Sequence, residues 1–159
     1  MYQLKQLVPQ PVKQLFHRVI IHLATAWYGH PSDKMIVIGV TGTKGKSTTS
    51  NLIGHLLDSP TTPTGFTTTA NFKIAQKEWI NDTKMTMLGR FQLQRLLSQM
   101  VQAGCKYAVV ETSSQGIEQY RHIGVNYDYL VFTNLSPEHI EAHNGFENYK
   151  KAKGKLFAR

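Results

Sequence analysis

The chain has 159 residues, with 18 lysines and arginines against 10 aspartates and glutamates, and 41% of its residues are hydrophobic. These proportions are typical of a soluble globular domain, which at this length folds without disulfides or a structural metal. A single cysteine, Cys105, excludes a disulfide framework. The formal net charge of +8 predicts an anionic partner, and nucleotide phosphates, nucleic acid and a lipid surface all satisfy it.

The N-terminal residues 1–33 form a predicted helical segment, because apolar residues recur at steps of three and four between residues 11 and 28. This stripe comprises Val12, Leu15, Phe16, Val19, Ile20, Leu23, Ala24 and Trp27. We expect the stripe to dock on the following domain, with Ile21 on the polar side of the helix. The alternative is contact with a membrane surface, since basic residues lie opposite the apolar face. Neither a membrane-spanning stretch nor a signal peptide is recognisable, so we expect a cytoplasmic protein.

From residue 34 onward, strand-like and helix-like segments alternate, which predicts an α/β domain over residues 34–159. The predicted strands cover residues 35–40, 65–69, 106–111 and 129–133, with a small hairpin at 72–80. Predicted helices cover residues 47–57 and 91–101, with Gly104 just after the second, and the chain from residue 137 is also expected to be helical. Strands separated by helices imply a doubly wound, mostly parallel sheet flanked by helices.

The strongest motif is TGTKGKST at residues 41–48, which lies between a predicted strand and a predicted helix. Glycines let successive backbone N–H groups face a phosphate, and the helix N-terminus adds its positive end. In such a P-loop, Lys46 reaches the β- and γ-phosphates and the Ser47 hydroxyl ligates Mg²⁺. The general pattern requires glycine at position 40, where this chain has Val40, with Gly39 and Gly42 nearby. A Gly-Lys-rich turn without a ligand is the alternative.

Two further clusters of polar residues follow predicted strands. Glu111 ends the strand KYAVVE, and the carboxyl ends of parallel strands form the rim at which α/β sheets bind ligands. We expect Glu111 to hold Mg²⁺ directly or through water, the alternative being a cap for the next helix. The segment TNLSPEHIEAH at residues 133–143 places His139 and His143 on one helix face. It lacks both H-E-x-x-H and H-x-x-E-H, so a metal-nucleotide site and a solvated helix remain as interpretations.

Four motifs resemble, in order, the central ATP-binding domain of the Mur ligases. They are the loop TGTxGK[ST]T, a strand ending in E-x-S-S, the segment T-N-L-[ST]-x-[DE]-H-[LI]-[DE]-x-H and a closing A-K-x-x-L-F, and they run from residue 37 to residue 157. The likeness is greatest to the enzymes that extend UDP-N-acetylmuramoyl dipeptide to the tripeptide. Folylpolyglutamate synthetases share the fold and are an alternative, although GKST at residues 45–48 favours the peptidoglycan branch.

The resemblance implies ATP-dependent amide-bond formation on a UDP-N-acetylmuramoyl-peptide through an acyl phosphate. It implies that Lys46 holds the phosphates, that Ser47 and Glu111 hold one Mg²⁺, and that His143 with a carbamoylated Lys153 holds a second. Only a neutral amine attacks CO₂, so Lys153 requires a lowered pKa, and a solvated basic helix is the alternative. The nucleotide-binding residues carried over from the family are Thr41, Gly42, Thr43, Lys44, Gly45, Lys46, Ser47, Thr48 and Asn134.

The sequence departs from the family pattern at several places. Gln115 stands where members often have histidine, and residues 81–88 replace a T-T-P segment that contacts the acceptor, which leaves Thr83 and Thr86 as candidates. Neither the uridine-nucleotide-binding domain nor the closing domain of the family is recognisable. We therefore expect a fragment, a truncated gene or a split-ligase subunit that needs another chain or domain and is inactive alone.

Two other classes of function stay open at this point. A non-catalytic nucleotide-binding partner or regulatory module would keep TGTKGKST while losing the closing domain. A nucleic-acid binder would account for the positive charge, but the chain lacks a basic surface motif interleaved with aromatic residues, so we expect no nucleic-acid partner.

Overall fold

The computed structural model describes residues 10–138 and 141–158, so the first nine residues of the predicted N-terminal segment and His139 lie outside the described residues. The helices are α1 (Gln10–Trp27), α2 (Lys46–Leu57), α3 (Arg90–Gln102), α4 (Ser114–Glu118) and α5 (Phe146–Gly154). The strands are β1 (Ile36–Thr41), β2 (Thr64–Thr67), β3 (Asn71–Ile74), β4 (Lys77–Ile80), β5 (Tyr107–Glu111) and β6 (Tyr129–Phe132). Short 3₁₀ helices cover Pro31–Lys34, His122–Gly124 and Glu141–His143.

The six strands form one sheet in the order β4-β3-β2-β5-β1-β6. Strands β2, β5, β1 and β6 are parallel, and the hairpin β3–β4 continues the sheet in antiparallel fashion. In the register, Ile38 of β1 lies between Val109 of β5 and Tyr129 of β6. The predicted α/β class with a mostly parallel sheet is therefore confirmed.

Alternate residues of the central strands pack on opposite faces of the sheet, as the period of a strand requires. Val37 of β1 and Val110 of β5 belong to the larger apolar cluster, which includes the buried face of α3. Ile38, Val40 and Val109 belong to a smaller cluster with Phe66, and α2 covers this face. The core therefore lies on both faces of the sheet, and the carboxyl ends of the parallel strands share one rim.

Most predicted elements agree with the structure to within two residues. Gly104, with a φ of +75°, follows α3 as the predicted C′ glycine. The predicted strand at 65–69 ends earlier, at Thr67, because residues 68–71 form a turn into the hairpin. The short helix α4 is not among the sequence-based predictions, since five residues are too few to show a helical period.

The predicted docking face of α1 is wrong. Most of the apolar stripe faces solvent, and the side chain of Trp27 is 80% exposed. Ile21, predicted on the polar side, is fully buried together with Ala24, and it packs so closely on Gly124 that a Cβ there would lie 2.4 Å from its side chain. Periodicity shows that a helix has an apolar face, but it does not show which face meets the rest of the chain.

Helix α2 likewise buries only part of its predicted apolar face. Leu52 and Leu56 are exposed, whereas Ile53 and Leu57 pack against the smaller core cluster. Within the described residues, no helix is both long and apolar enough to cross a membrane.

Candidate functional site

The segment at residues 42–45 connects β1 directly to α2 and contains two glycines with positive φ. At Gly42, where φ is +151°, a Cβ would lie 1.9 Å from Oγ1 of Thr133. At Gly45, where φ is +77°, there is open space, and glycine is favoured by the backbone conformation itself. Helix α2 begins at Lys46, directly after this turn. The loop thus places a turn with two glycines directly before a helix N-terminus, which is the kind of position at which anions bind in proteins.

Thr133 and Asn134, directly after β6, form hydrogen bonds with the loop. The N–H of Thr43 donates to the carbonyl of Asn134 at 3.0 Å, and the N–H of Lys44 donates to Oδ1 of Asn134 at 2.9 Å. Asn134 returns a bond from Nδ2 to the carbonyl of Lys44 at 3.0 Å, and the hydroxyl of Thr133 donates to the same carbonyl at 2.7 Å. The predicted nucleotide-binding residue Asn134 is therefore in direct contact with the loop.

The side chains of the loop differ in where they lie. Thr41 is fully buried at the end of β1, and Thr48 is exposed on the first turn of α2. Nζ of Lys44 lies 2.5 Å from Oε1 of Glu138, and this hydrogen bond raises the pKa of Lys44. Nζ of Lys46 folds back over the loop and donates to the carbonyl of Thr43 at 2.9 Å. Lys46 is therefore the loop lysine whose ammonium lies against the loop backbone.

Glu111 is a buried carboxylate at the end of β5, 1% exposed. Its Oε2 accepts hydrogen bonds from the hydroxyl of Ser47 and the N–H of Thr69, both at 2.8 Å, and its Oε1 accepts from the hydroxyl of Thr69 at 3.1 Å. Among the described residues, no basic side chain forms an ion pair with it. A buried carboxylate is costly without a cation, so a divalent ion beside Ser47 fits this arrangement.

Lys153 lies on α5 and is buried, with 3% of its surface exposed. It contacts the loop although it is 111 residues away from Gly42 in the chain. Its Nζ donates to the carbonyl of Gly42 at 2.7 Å and lies 4.8 Å from the centre of the Tyr149 ring. The hydroxyls of Tyr149 and Thr43 are hydrogen bonded at 2.9 Å. Burial, with a smaller effect from Lys46, lowers the pKa of Lys153 to about 8. A large fraction of the amine is therefore neutral at mildly alkaline pH.

His143 is also buried, and two residues of α4 lie beside its ring. Nε2 lies 3.0 Å from the hydroxyl of Ser114. Nδ1 lies 3.3 Å from a carboxylate oxygen of Glu118 but is not aligned for a hydrogen bond, so within the described residues this nitrogen has no hydrogen-bond partner. The ring centre is 5.2 Å from that of Tyr149. A buried imidazole nitrogen without a hydrogen bond is the feature expected of a ligand-binding histidine.

Lys46, His143 and Lys153 line one cavity of about 290 Å³ beside the loop. Its wall also includes Lys84, Thr86, Ser114, Gln115 and Arg121. Thr83 is not in this wall, and its hydroxyl donates to Oδ1 of Asn81 at 2.6 Å. In the part of the chain that the structure describes, no group of three His, Cys, Asp or Glu side chains could by itself hold a metal. Any Mg²⁺ here needs oxygen ligands from phosphate or water, which is usual for this ion.

The sequence-based predictions do not include several residues at the site, among them Thr69, Tyr149 and Arg121. Thr69 binds Glu111, Tyr149 binds Thr43, and Arg121 lines the cavity. Tyr149 has a signal in the sequence, because it precedes Lys153 by four residues and shares its helix face. Thr69 has none, since its contact depends on the pairing of β2 with β5, in which Thr67 lies opposite Val110, 43 residues further along the chain.

The sheet and the glycine-rich loop define a class of α/β domain in which a strand, a loop and a helix build a ligand site at the sheet rim. A family model described as the Mur ligase middle domain matches residues 40–159, and the chain belongs to this family.

Several characterised relatives are similar over most of this chain. A UDP-N-acetylmuramyl-tripeptide synthetase from Roseiflexus sp. (strain RS-1) is 40% identical over 137 residues, which are 85% of this chain and 27% of the relative. A UDP-N-acetylmuramoyl-L-alanyl-D-glutamate–2,6-diaminopimelate ligase from Bacillus cereus is 38% identical over 148 residues, which are 93% of this chain and 30% of the relative. This chain therefore spans less than a third of the length of either relative.

A solved structure of a UDP-N-acetylmuramoyl-L-alanyl-D-glutamate–2,6-diaminopimelate ligase has the same fold. It aligns with a TM-score of 0.75 at 31% identity, covering 94% of this chain and 29% of the solved chain. The resemblance read from the four motifs is thus confirmed at the level of the family.

Proposed function

We propose that this chain is the ATP-binding part of a ligase that joins an amino acid to the carboxylate of a UDP-N-acetylmuramoyl-peptide in peptidoglycan precursor synthesis. The observation that carries the proposal is the convergence of the glycine-rich loop, Lys46, His143 and Lys153 on one cavity. The names of the similar proteins from Roseiflexus and Bacillus cereus support the substrate class. Because ATP is a cytoplasmic substrate, we assign the chain to the cytoplasm.

In the proposed reaction, a carboxylate oxygen of the acceptor attacks the γ-phosphorus of ATP and ADP leaves. The amine of the incoming amino acid then attacks the carbonyl carbon of the acyl phosphate, phosphate leaves and the nitrogen loses a proton. Catalysis of this kind depends on positioning and on neutralisation of charge. Lys46 supplies positive charge beside the loop, and the loop N–H groups supply hydrogen-bond donors to the phosphates.

Ser47 and Glu111 are the proposed ligands of one Mg²⁺. In support, the Glu111 carboxylate is buried, accepts a hydrogen bond from the Ser47 hydroxyl at 2.8 Å and has no basic partner among the described residues. Bound there, Mg²⁺ supplies positive charge to the phosphate oxygens. The remaining nucleotide-binding assignments, Thr41 to Thr48 and Asn134, are also proposals, and the buried Thr41 contributes through its backbone.

His143 and a carbamoylated Lys153 are the proposed ligands of a second ion. The neutral amine of Lys153 attacks the carbon of CO₂ and loses a proton, which leaves a carbamate with one negative charge shared by two oxygens. Burial of Lys153 and its lowered pKa of about 8 favour the neutral amine that this step requires. Nδ1 of His143 has no aligned hydrogen bond among the described residues, although Oε2 of Glu118 lies 3.3 Å away, and this supports a role for the imidazole as a ligand.

The cavity beside the loop is the proposed position of the acceptor. Lys84 and Arg121 line it together with Lys46 and Lys153, so the wall favours an anionic group such as a carboxylate. Burial, with a smaller effect from Arg90, lowers the pKa of Arg121. The guanidinium of Arg121 already donates from Nη1 to the carbonyl of Met87 and from Nη2 to Oε1 of Gln119. Its contribution to anion binding is therefore proposed to be its positive charge at the cavity wall.

The test is a chimera of the Roseiflexus relative. In it, the part of this chain that aligns with the relative over 137 residues replaces the corresponding part of the relative. We expect ATP-dependent release of ADP and formation of the tripeptide product by the chimera, and loss of both with Glu111→Gln. The isolated 159-residue chain should bind ATP without forming the amide, because closure and exclusion of water need further protein. A folded chimera that binds ATP but forms no amide, or efficient ligation by the isolated chain, contradicts the proposal.

A further inference from the structure

The turn at residues 68–71, between β2 and β3, holds the Glu111 carboxylate through both polar groups of Thr69. Within the turn, Oγ1 of Thr68 accepts hydrogen bonds from the N–H of Ala70 at 3.2 Å and from the N–H of Asn71 at 3.0 Å. The N–H of Thr68 donates to the carbonyl of Asn71 at 3.0 Å. These bonds define the conformation of the turn, and so they fix where Thr69 presents its two donors.

Asn71 joins this turn to α2 through a reciprocal amide pair with Asn51. Nδ2 of Asn51 donates to Oδ1 of Asn71 at 3.0 Å, and Nδ2 of Asn71 donates to Oδ1 of Asn51 at 2.9 Å. Nδ2 of Asn51 also donates to the carbonyl of Ser47 at 2.9 Å, and Nδ2 of Asn71 also donates to Oε1 of Glu78 at 2.5 Å. A carbonyl and an ionised carboxylate only accept, so these outer partners fix the orientation of both amides.

The amide pair therefore connects the two residues proposed as Mg²⁺ ligands. One end reaches the first turn of α2 at Ser47, and the other end reaches Glu111 through the turn that carries Thr69. We infer that the Asn51–Asn71 pair is a positioning element of the Mg²⁺ site, which holds the Ser47 hydroxyl and the Glu111 carboxylate at a fixed spacing. The inference rests on the proposed function, because it requires Mg-ATP to bind at this rim.

The chemistry of Mg²⁺ makes such positioning consequential. This ion requires nearly octahedral geometry at short distances, so small displacements of its protein ligands weaken binding. Partners that orient metal ligands typically affect metal affinity about 10- to 100-fold when they are removed. A pair that only attached the hairpin β3–β4 to α2 would lower stability on removal and would leave the Mg²⁺ dependence of ATP binding unchanged.

The test is calorimetric titration of the full 159-residue chain with ATP at a series of Mg²⁺ concentrations and in EDTA. Asn51→Ala removes the pair while alanine keeps α2 helical. We expect the Mg²⁺ concentration for half-maximal enhancement of ATP affinity to rise about tenfold, at the lower end of the range for such partners. Affinity in EDTA should not change. Asn71→Ala should give a similar rise, and the double variant no more than the larger single effect, because the two amides act as one unit.

The matched control is Asn148→Ala, which makes the same chemical change on α5. Asn148 is exposed, and its Nδ2 donates to the carbonyl of Asn144 at 3.3 Å. This variant should leave the Mg²⁺ dependence unchanged. A shift confined to the melting temperature, equal losses of affinity with and without Mg²⁺, or additive shifts in the double variant would overturn the inference and leave the proposed function standing. If the unsubstituted chain shows no Mg²⁺-dependent ATP binding, the proposed function fails and the inference fails with it.

Discussion

At the loop end of the sheet, charged and polar side chains are buried, whereas on α1 large apolar side chains face solvent. Glu111 and Lys153 are 1% and 3% exposed, and Trp27 is 80% exposed. The buried polar groups have hydrogen-bond partners that offset much of the cost of burial, such as Thr69 for Glu111 and Gly42 for Lys153. The two regions show that the polarity of a side chain does not by itself predict its burial.

Buried residues of α1 and buried residues at the rim of the sheet also have different structural roles. On α1, the contacts that matter are the few buried apolar residues such as Ile21, and the exposed stripe contributes little to folding of the described chain. At the rim, the buried Lys153 donates to the carbonyl of Gly42 in the loop, and the buried Glu111 accepts from Ser47 on the first turn of α2. Substitutions in the two regions should therefore have different readouts, stability in the first and ligand binding or pH dependence in the second.

We expect the greatest change in stability from a substitution in the buried part of α1. Ile21→Ala removes a fully buried side chain that packs on Gly124, and it should lower the free energy of unfolding by about 2–5 kcal/mol. Leu23→Ala on the exposed stripe should change it by less than about 0.5 kcal/mol. Urea unfolding followed by circular dichroism measures both variants. Equal losses would mean that the stripe is buried in solution and that the predicted docking face of α1 was right after all.

The next effect concerns pH, and it tests the burial of Lys153. The pKa of this amine falls from 10.5 to about 8 on folding, so between these values the unfolded chain binds more protons than the folded chain. Stability should therefore rise with pH across this window, by an amount on the order of 3 kcal/mol, as the buried ammonium is lost. Lys153→Met keeps an apolar stem and removes the titrating group. In CO₂-free buffer, the difference in unfolding free energy between the two proteins should change with pH, and a constant difference would show that Lys153 titrates normally.

The sequence predicted the loop end of the sheet better than it predicted the packing of α1. The loop from Gly42 to Ser47 and the position of Glu111 were predictable, because the motif lies between a strand and a helix and the carboxylate ends a neighbouring strand. The role of Thr69 was not, since it depends on the strand order, which places β2 beside β5. The face of α1 was not predictable either, because the partner of Ile21 is Gly124, about a hundred residues away in the chain.

Titration calorimetry with Mg-ATP decides whether the loop at residues 42–45 binds the phosphates of ATP, as we propose. Lys46→Ala removes the ammonium that lies against the loop backbone, and charge-assisted contacts of this kind are about twice as strong as neutral ones. The matched control is Lys106→Ala, which removes an exposed lysine at the start of β5, at the other end of the sheet. We predict micromolar to millimolar binding by the unsubstituted chain and by the control, and at least about tenfold weaker binding by Lys46→Ala, which corresponds to about 1.4 kcal/mol. Equal affinity in all three proteins would show that the loop is not the phosphate site.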